Sequence, residues 1–213
     1  MRKQVFICVF ICCGFWFNVQ ETMAESWYTV RWVDDGDSIV LQDGRHVRYI
    51  GINAPEIQHE DRKAEPFGEK AKSINKKLVF HKTVRLEYDR EKKDRYGRTL
   101  AYVYLRNGLF INLEMISHGA AYFLYLKPNT KYTELFIKQQ RDAMQAGRGL
   151  WQNWSESKAE YIGNKHSRRF HLPTCPFAKK INSAYKVRFS RKWDAFRAGY
   201  APAKKCVTEW WSD

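Results

Sequence analysis

The chain has 213 residues, with 37 lysines and arginines against 23 aspartates and glutamates, and its formal net charge is +14. Its hydrophobic (44%) and aromatic (15%) contents are enough for a buried core of one or two domains, which excludes a disordered tail protein. Its 12 glycines and 6 prolines are too few for a fibrous chain, and its one long apolar run excludes several membrane spans.

Residues 1–24 have the pattern of a secretory signal peptide. Arg2 and Lys3 precede the 13 apolar residues 5–17, and Thr22 and Ala24 supply small residues before a cleavage site. This run is shorter than the roughly 20 residues of a spanning helix. We therefore expect cleavage, no stable membrane insertion, and a protein that is secreted or resides in the periplasm or cell envelope. The alternative is an uncleaved N-terminal anchor.

The first unit, residues 25–154, begins with short alternating segments typical of strands. Strands are predicted over residues 28–33, 38–41, 45–52, 83–88 and 99–105. Helices are predicted over 66–79, from Ile111 to Gly119, and over 132–146. These elements predict an α+β fold, a five-stranded OB-fold β-barrel with about three helices.

A second unit, residues 155–213, follows a polar stretch and carries 13 basic and 5 acidic residues. It predicts a small α/β module with a hairpin around residues 164–170, a helical turn after Pro176 and a strand over 185–189. A last helix is predicted to be capped by Ser190 and to end at Gly199. Its dense positive charge suits contact with the phosphates of DNA and RNA.

Acidic, amide and basic residues occur in order near the strand ends of the first unit. They stand in the segments DGDS (from Asp35), NAPE (from Asn53) and DRYGR (from Asp94), with Arg48 between the first two. Each segment alone is typical of an ordinary turn. Together they supply oxygen ligands for a hard cation such as Ca²⁺, a carboxylate to position water, and arginines that grip phosphate at two points. The set indicates phosphodiester hydrolysis.

The motifs DDGDSIVL, VRYIGINAPE and DRYGRTLAYVYL, with NLEMISHGAAY and GRGLW as weaker support, resemble the staphylococcal nuclease (thermonuclease) family over about residues 27–154. The resemblance implies an OB-fold and Ca²⁺-dependent cleavage of DNA and RNA to 3′-phosphorylated products. By position it implies catalytic roles for Arg48, Glu56 and Arg98, metal binding by Asp37, Asn53 and the Ala54 carbonyl, and substrate-phosphate binding by Arg95 and Tyr96. We expect a monomer.

Two departures from the family pattern affect the expected site. Asn53 stands where the family commonly has a second calcium aspartate, so it offers an oxygen ligand with one less negative charge. Alternatively, Asn53 faces away from the metal and caps the turn before Pro55. Tyr122 and Tyr125 are close in sequence, but Leu124 and Leu126 stand where the family has paired tyrosines, which puts base stacking there in doubt.

The second unit resembles the metal-binding domain of the Ada repair protein, but it keeps only the last cysteine of that domain's Pro-Cys-x-x-Cys pattern. Removal of the signal leaves two cysteines, Cys175 and Cys206, and export predicts that they form a disulfide. Zinc bound with His166 and His171, or free thiols, are the alternatives.

Two functions compete with a nuclease. A catalytically silent OB-fold protein would bind nucleic acid without cutting it, and a surface adhesion protein would use its charge to bind anionic polymers.

All the catalytic candidates precede Trp154, so the sequence also predicts that removing the second unit leaves the chemistry intact.

Overall fold

The computed structural model describes residues 26–58, 64–156 and 158–211. The signal peptide expected at residues 1–24 lies outside these ranges. Among the helices of the described ranges, none combines the length and apolar character needed to cross a lipid bilayer.

Five strands of the first unit close into a barrel in the order β1-β2-β3-β6-β5. They are β1 (Trp27–Asp35), β2 (Ser38–Leu41), β3 (His46–Tyr49), β5 (Thr83–Glu87) and β6 (Thr99–Leu105). Adjacent strands are antiparallel except for the parallel pair β3–β6. The alternating apolar residues of these strands fill the barrel interior, and the predicted OB-fold is confirmed.

The strand predicted over residues 45–52 is two strands. β3 ends at Tyr49, and β4 (Ile52–Asn53) pairs instead with β7 (Tyr122–Phe123). Gly51 separates them with a left-handed backbone (φ 80°), and any side chain there would collide with the Phe136 ring. The break turns Asn53 away from the barrel ladder and toward the end of β7.

Three helices pack on the barrel: α1 (Gly68–Val79), α2 (Ile111–Ser117) and α3 (Thr133–Gln145). The first begins later than predicted because Phe67 has a left-handed backbone (φ 72°). Asn75, buried on α1, accepts a hydrogen bond from the Tyr49 hydroxyl and donates one to the Asp35 carbonyl, both at 2.9 Å. α1 therefore supports the turn that carries the acidic motif.

The second unit is a four-stranded sheet in the order β10-β8-β9-β11, with two short helices. Its elements are β8 (Tyr161–Asn164), β9 (Arg169–His171), α4 (Pro176–Lys179), β10 (Lys186–Phe189), α5 (Lys192–Arg197) and β11 (Ala201–Pro202). The predicted Ser190 cap of α5 is wrong. The Glu156 carboxylate accepts the N–H groups of Lys192 and Trp193, both at 2.9 Å, and so satisfies the donors of the helix N-terminus from a distant segment.

The two units share one core. Buried side chains from the first unit, including Tyr122 and Trp151, pack with Phe196 and Trp210 of the second. Gln140 on α3 joins the two backbones, since its Oε1 accepts the Phe123 N–H at 2.6 Å and its Nε2 donates to the Phe196 carbonyl at 2.5 Å. This sharing argues against the expectation that the second unit can be removed harmlessly.

Candidate active site

Asp37 lies buried in the turn between β1 and β2, with its carboxylate held by several donors. Its Oδ2 accepts the Ala54 N–H at 2.7 Å and lies 3.0 Å from Arg48 Nη2, and its Oδ1 accepts the Ser38 hydroxyl at 3.1 Å. Burial raises the pKa of Asp37 to about 7, against the lowering effect of the Arg48 charge. The carboxylate therefore has a fixed position and a strong preference for a nearby positive charge.

Gly36 allows this arrangement. Its backbone lies so close to Ala54 and Ala71 that any side chain would collide with both. The glycine of the DGDS motif thus brings the turn against the segment that carries Ala54 and Glu56.

Arg48 on β3 links the carboxylate to Asn53. It is paired with Ser38 on β2 and with Leu100 on β6, so it has a neighbouring strand on each side. Its Nη1 donates to the Tyr49 carbonyl at 2.8 Å, and its Nη2 donates to Asn53 Oδ1 at 3.1 Å. One guanidinium therefore contacts both residues expected to bind metal through side chains.

The Asn53 side chain faces this network with its oxygen and the following turn with its nitrogen. Nδ2 donates to the Ala54 carbonyl at 2.9 Å and to the Tyr122 hydroxyl at 3.1 Å. The Ala54 contact is a local turn bond of the kind that the alternative interpretation predicted, and it coexists with the contact to Arg48. The Asn53 oxygen thus faces Arg48.

The donor set formed by Asp37, Asn53 and the Ala54 carbonyl fits a hard divalent cation. All three offer oxygen atoms, and hydrogen bonds connect them in one network. A carboxylate, an amide oxygen and a backbone carbonyl are the ligand types that Ca²⁺ binds in proteins, whereas zinc favours nitrogen and sulfur.

Arg48 and Arg98 line the same cleft, whose volume is about 380 Å³. Asp94 holds Arg98 in place, since Oδ2 accepts from Arg98 Nε at 2.8 Å and Oδ1 accepts the Arg98 N–H at 3.0 Å. Burial raises the pKa of Asp94, but the hydrogen bonds from Arg98 and from the Tyr96 N–H outweigh it and leave the pKa lowered. Asp94 therefore stays ionised and keeps the Arg98 guanidinium fixed beside the cleft.

Arg95 and Tyr96 lie at the outer rim of this cleft. Arg95 Nη2 lies 2.5 Å from the Tyr96 hydroxyl, and the guanidinium lies 4.7 Å from the ring centroid. The Tyr96 side chain is exposed. The two residues present one adjacent pair of hydrogen-bond donors to solvent.

Glu56 follows Ala54 by two residues, but among the described residues it is not part of the cleft lining. Its N–H donates to Glu65 Oε2 at 3.0 Å, and its Oε1 lies 3.0 Å from Lys204 Nζ. Glu65 and Lys204 were missed by the sequence reasoning, because neither belongs to a motif and only the fold brings them to Glu56.

The structure places Tyr122 and the two leucines that stand at the family's tyrosine positions differently with respect to the cleft. Tyr122 is buried and its hydroxyl contacts Asn53, so its ring is not available to stack on a base. Leu124 and Leu126 line the cleft instead. The apolar wall of the cleft is thus aliphatic at the two positions where the family pattern suggested tyrosines.

Cys175 and Cys206 lie away from the cleft, in a small buried cluster with Ile162 of β8. Their sulfur atoms are 2.12 Å apart and their Cα atoms 5.8 Å apart. His171 Nδ1 lies 3.4 Å from the Cys175 sulfur, whereas His166 is exposed and its ring packs near Tyr185. Of the two histidines in the zinc alternative, only His171 is therefore next to the cysteines.

Comparison with known proteins agrees with this geometry. The family model described as "Staphylococcal nuclease homologue" matches residues 46–153. The thermonuclease of Staphylococcus intermedius is 40% identical over 128 residues (59% of this chain, 76% of that protein), and that of Staphylococcus hyicus is 38% identical over 132 residues (61% and 78%). An uncharacterized endonuclease of Escherichia coli O157:H7 is 34% identical over 154 residues (71% and 90%).

The chain belongs to the staphylococcal nuclease family. Membership gives its class of enzyme, a nuclease that hydrolyses phosphodiester bonds.

Proposed function

We propose that this chain is an exported, monomeric, calcium-dependent nuclease that cleaves DNA and RNA to 3′-phosphorylated products. The observation that carries the proposal is the position of Arg48. It contacts the oxygen ligands Asp37 and Asn53 and also lines the cleft that Arg98 lines. A phosphate in that cleft would meet two fixed guanidinium groups next to the metal ligands.

The two arginines are proposed to act on the phosphate oxygens. Negative charge on these oxygens increases as the phosphorus becomes five-coordinate, and fixed cations in a partly enclosed cleft stabilise it without reorganisation. Arg48 is fixed by the Tyr49 carbonyl and Asp37, and Arg98 by Asp94. When bound by Asp37, Asn53 and Ala54, Ca²⁺ adds Lewis-acid polarisation of the phosphate.

Glu56 is proposed to act on the attacking water, either by taking its proton or by orienting it. The water oxygen bonds to phosphorus while the bond from phosphorus to the 5′ oxygen breaks, which leaves the phosphate on the 3′ oxygen. The proton released by water balances the one taken up by the 5′ oxygen. Arg95 and Tyr96, at the rim of the cleft, are proposed to hold a terminal phosphate of the substrate.

The test is digestion of labelled DNA and RNA oligonucleotides by purified residues 25–213, with Ca²⁺ and with a chelator. We expect cleavage only with Ca²⁺, and products that resist exonuclease digestion from the 3′ end until a phosphatase removes their 3′ phosphate. Retention of uncut oligonucleotide would favour the silent binding protein. Binding of unrelated anionic polymers that survives Arg48→Ala would favour the adhesion protein.

Export and a Cys175–Cys206 disulfide are part of the same proposal. The pattern of residues 1–24 and the paired sulfur atoms support them. Intact-mass analysis of the exported protein, with alkylation before and after reduction, tests both. We expect loss of the first 24 residues and alkylation of two cysteines only after reduction. Two cysteines alkylated before reduction would contradict the disulfide.

A further inference from the structure

The Glu56 carboxylate pairs with a residue from the far end of the chain. Lys204 Nζ lies 3.0 Å from Glu56 Oε1 and 3.0 Å from Glu65 Oε1, and 148 residues separate Lys204 from Glu56. The side chains are partly enclosed, with exposed fractions of 37% for Lys204, 22% for Glu56 and 9% for Glu65. An ion pair in such a setting is less screened than one at an open surface.

The backbone that carries Lys204 is fixed on both sides. The Ala203 N–H donates to the Phe170 carbonyl at 2.9 Å, and the Ala203 carbonyl accepts the N–H groups of Cys206 at 2.7 Å and Val207 at 3.0 Å. Cys206 is also joined to Cys175. The second unit therefore presents the ammonium group from a tight, anchored turn.

The two carboxylates beside the Lys204 ammonium explain its effect. Glu56 and Glu65 are joined by a hydrogen bond from the Glu56 N–H to Glu65 Oε2, so two carboxylates are brought together. Like charges at this separation repel, and a cation shared between them offsets the repulsion. Lys204 thus restricts the directions open to a flexible glutamate side chain, because it contacts both carboxylates at 3.0 Å.

We propose that Lys204 is a positioning residue for catalysis, contributed by the second unit, that sets the direction of the Glu56 carboxylate, the group proposed to act on the attacking water. The inference rests on the proposed function, because it requires Glu56 to act on that water. It makes the second unit a part of the active site. Orientation of a catalytic group affects the chemical step rather than the docking of substrate.

The test compares Lys204→Met, which keeps length and removes charge, with Lys204→Arg and with the matched control Lys205→Met. Lys205 is the exposed neighbour in the same turn. We expect Lys204→Met to lower kcat about tenfold with little change in KM, since misplacing a catalytic group slows the chemical step. Lys204→Arg should restore most of kcat, and Lys205→Met should leave it unchanged. Thermal unfolding of each variant confirms that the fold is kept.

A double-mutant cycle separates positioning from other roles. If Lys204 acts through Glu56, Lys204→Met causes no further loss in a Glu56→Gln background. The ¹³C resonance of the Glu56 carboxylate gives a readout independent of activity, and it should shift or broaden in Lys204→Met but not in Lys205→Met.

Three kinetic outcomes would overturn the inference: a wild-type kcat in Lys204→Met, an increased kcat that identifies Lys204 as an inhibitory latch, or an equal tenfold loss in the Glu56→Gln background. An unchanged Glu56 resonance in Lys204→Met would overturn it even in an inactive protein. Failure of the proposed function is distinct, because there the wild type itself shows no Ca²⁺-dependent cleavage.

Discussion

Arg48 Nη2 lies 3.0 Å from Asp37 Oδ2, so the residue proposed to bind phosphate is in direct contact with the residue proposed to bind metal. Both side chains are almost completely enclosed, with exposed fractions of 12% and 7%. A buried charge without its partner is strongly unfavourable. The pair therefore links the stability of the site to its chemistry, and substitutions of the two cleft arginines should differ accordingly.

Arg48→Ala and Arg98→Ala should each lower kcat by about 10²-fold or more with a smaller effect on KM, because the donors act on charge that develops in the transition state. Arg48→Ala should also reduce the free energy of unfolding by about 3–5 kcal/mol, since it leaves Asp37 buried and unpaired. Arg98→Ala should cost less stability, because Arg98 is more exposed. Steady-state kinetics and urea denaturation check both expectations.

The matched control for both variants is Arg31→Ala, an exposed arginine on β1. We expect wild-type kinetics for it. A rise in KM with unchanged kcat in the two cleft variants would assign their arginines to substrate docking alone.

Asn53→Asp should lower the Ca²⁺ concentration for half-maximal activity, with a smaller effect on the rate at saturation. A carboxylate adds negative charge to the ligand set, and it removes the Nδ2 donor that now engages the Ala54 carbonyl at 2.9 Å. Both changes favour a cation. Calcium titration of the activity of wild type and variant measures the effect. An identical requirement in both proteins would mean that Asn53 is not a ligand, and Asp35 or water would have to complete the site.

Truncation after Trp154 should destabilise the barrel domain rather than leave an intact nuclease. It uncovers Tyr122 and Trp151 and removes Phe196 and Trp210, each of which contributes about 2–3 kcal/mol when fully buried. Thermal unfolding followed by circular dichroism should show a lower midpoint or no cooperative transition for residues 25–154. A truncated chain with wild-type stability and kcat would contradict both the shared core and the role given to Lys204.

Acid should destabilise the second unit through His171. Burial, together with the Arg169 charge, lowers the pKa of His171 below its ordinary value of 6.5. The unfolded chain therefore takes up a proton more readily than the folded one, so stability is full above the ordinary pKa and falls as pH decreases through it. His171→Gln should make the free energy of unfolding less dependent on pH between about 7 and 5.

The control for this prediction is His166→Gln, at an exposed histidine in the same unit. It should reproduce the wild-type pH dependence. Equal slopes for wild type and His171→Gln would show that His171 does not contribute to acid sensitivity.

Sequence patterns predicted the elements of this fold that depend on residues close together in the chain. Alternating apolar residues gave the barrel strands, and the motif order placed Asp37, Arg48 and Asn53 in one network. The predictions that failed depend on contacts between residues far apart in the chain. Strand 45–52 is broken because Gly51 must pass the Phe136 ring, and α5 is capped by Glu156 from a distant segment.

The contact between Lys204 and Glu56 has the same origin. Nothing near Lys204 in the sequence distinguishes it from other surface lysines, and its contact with Glu56 depends on the pairing of β11 with β9 just before it in the chain. A residue recruited to a site by packing between two units has no local signal that a sequence pattern can detect.

The measurement that tests the account most directly is the initial rate of oligonucleotide cleavage by purified residues 25–213, wild type against Glu56→Gln, prepared identically. We predict Ca²⁺-dependent cleavage that a chelator abolishes, and a rate about 10²- to 10⁴-fold lower in Glu56→Gln, the range expected for loss of a group acting on water. Absence of Ca²⁺-dependent cleavage in the wild type, or an equal rate in Glu56→Gln, would contradict the site described for this protein.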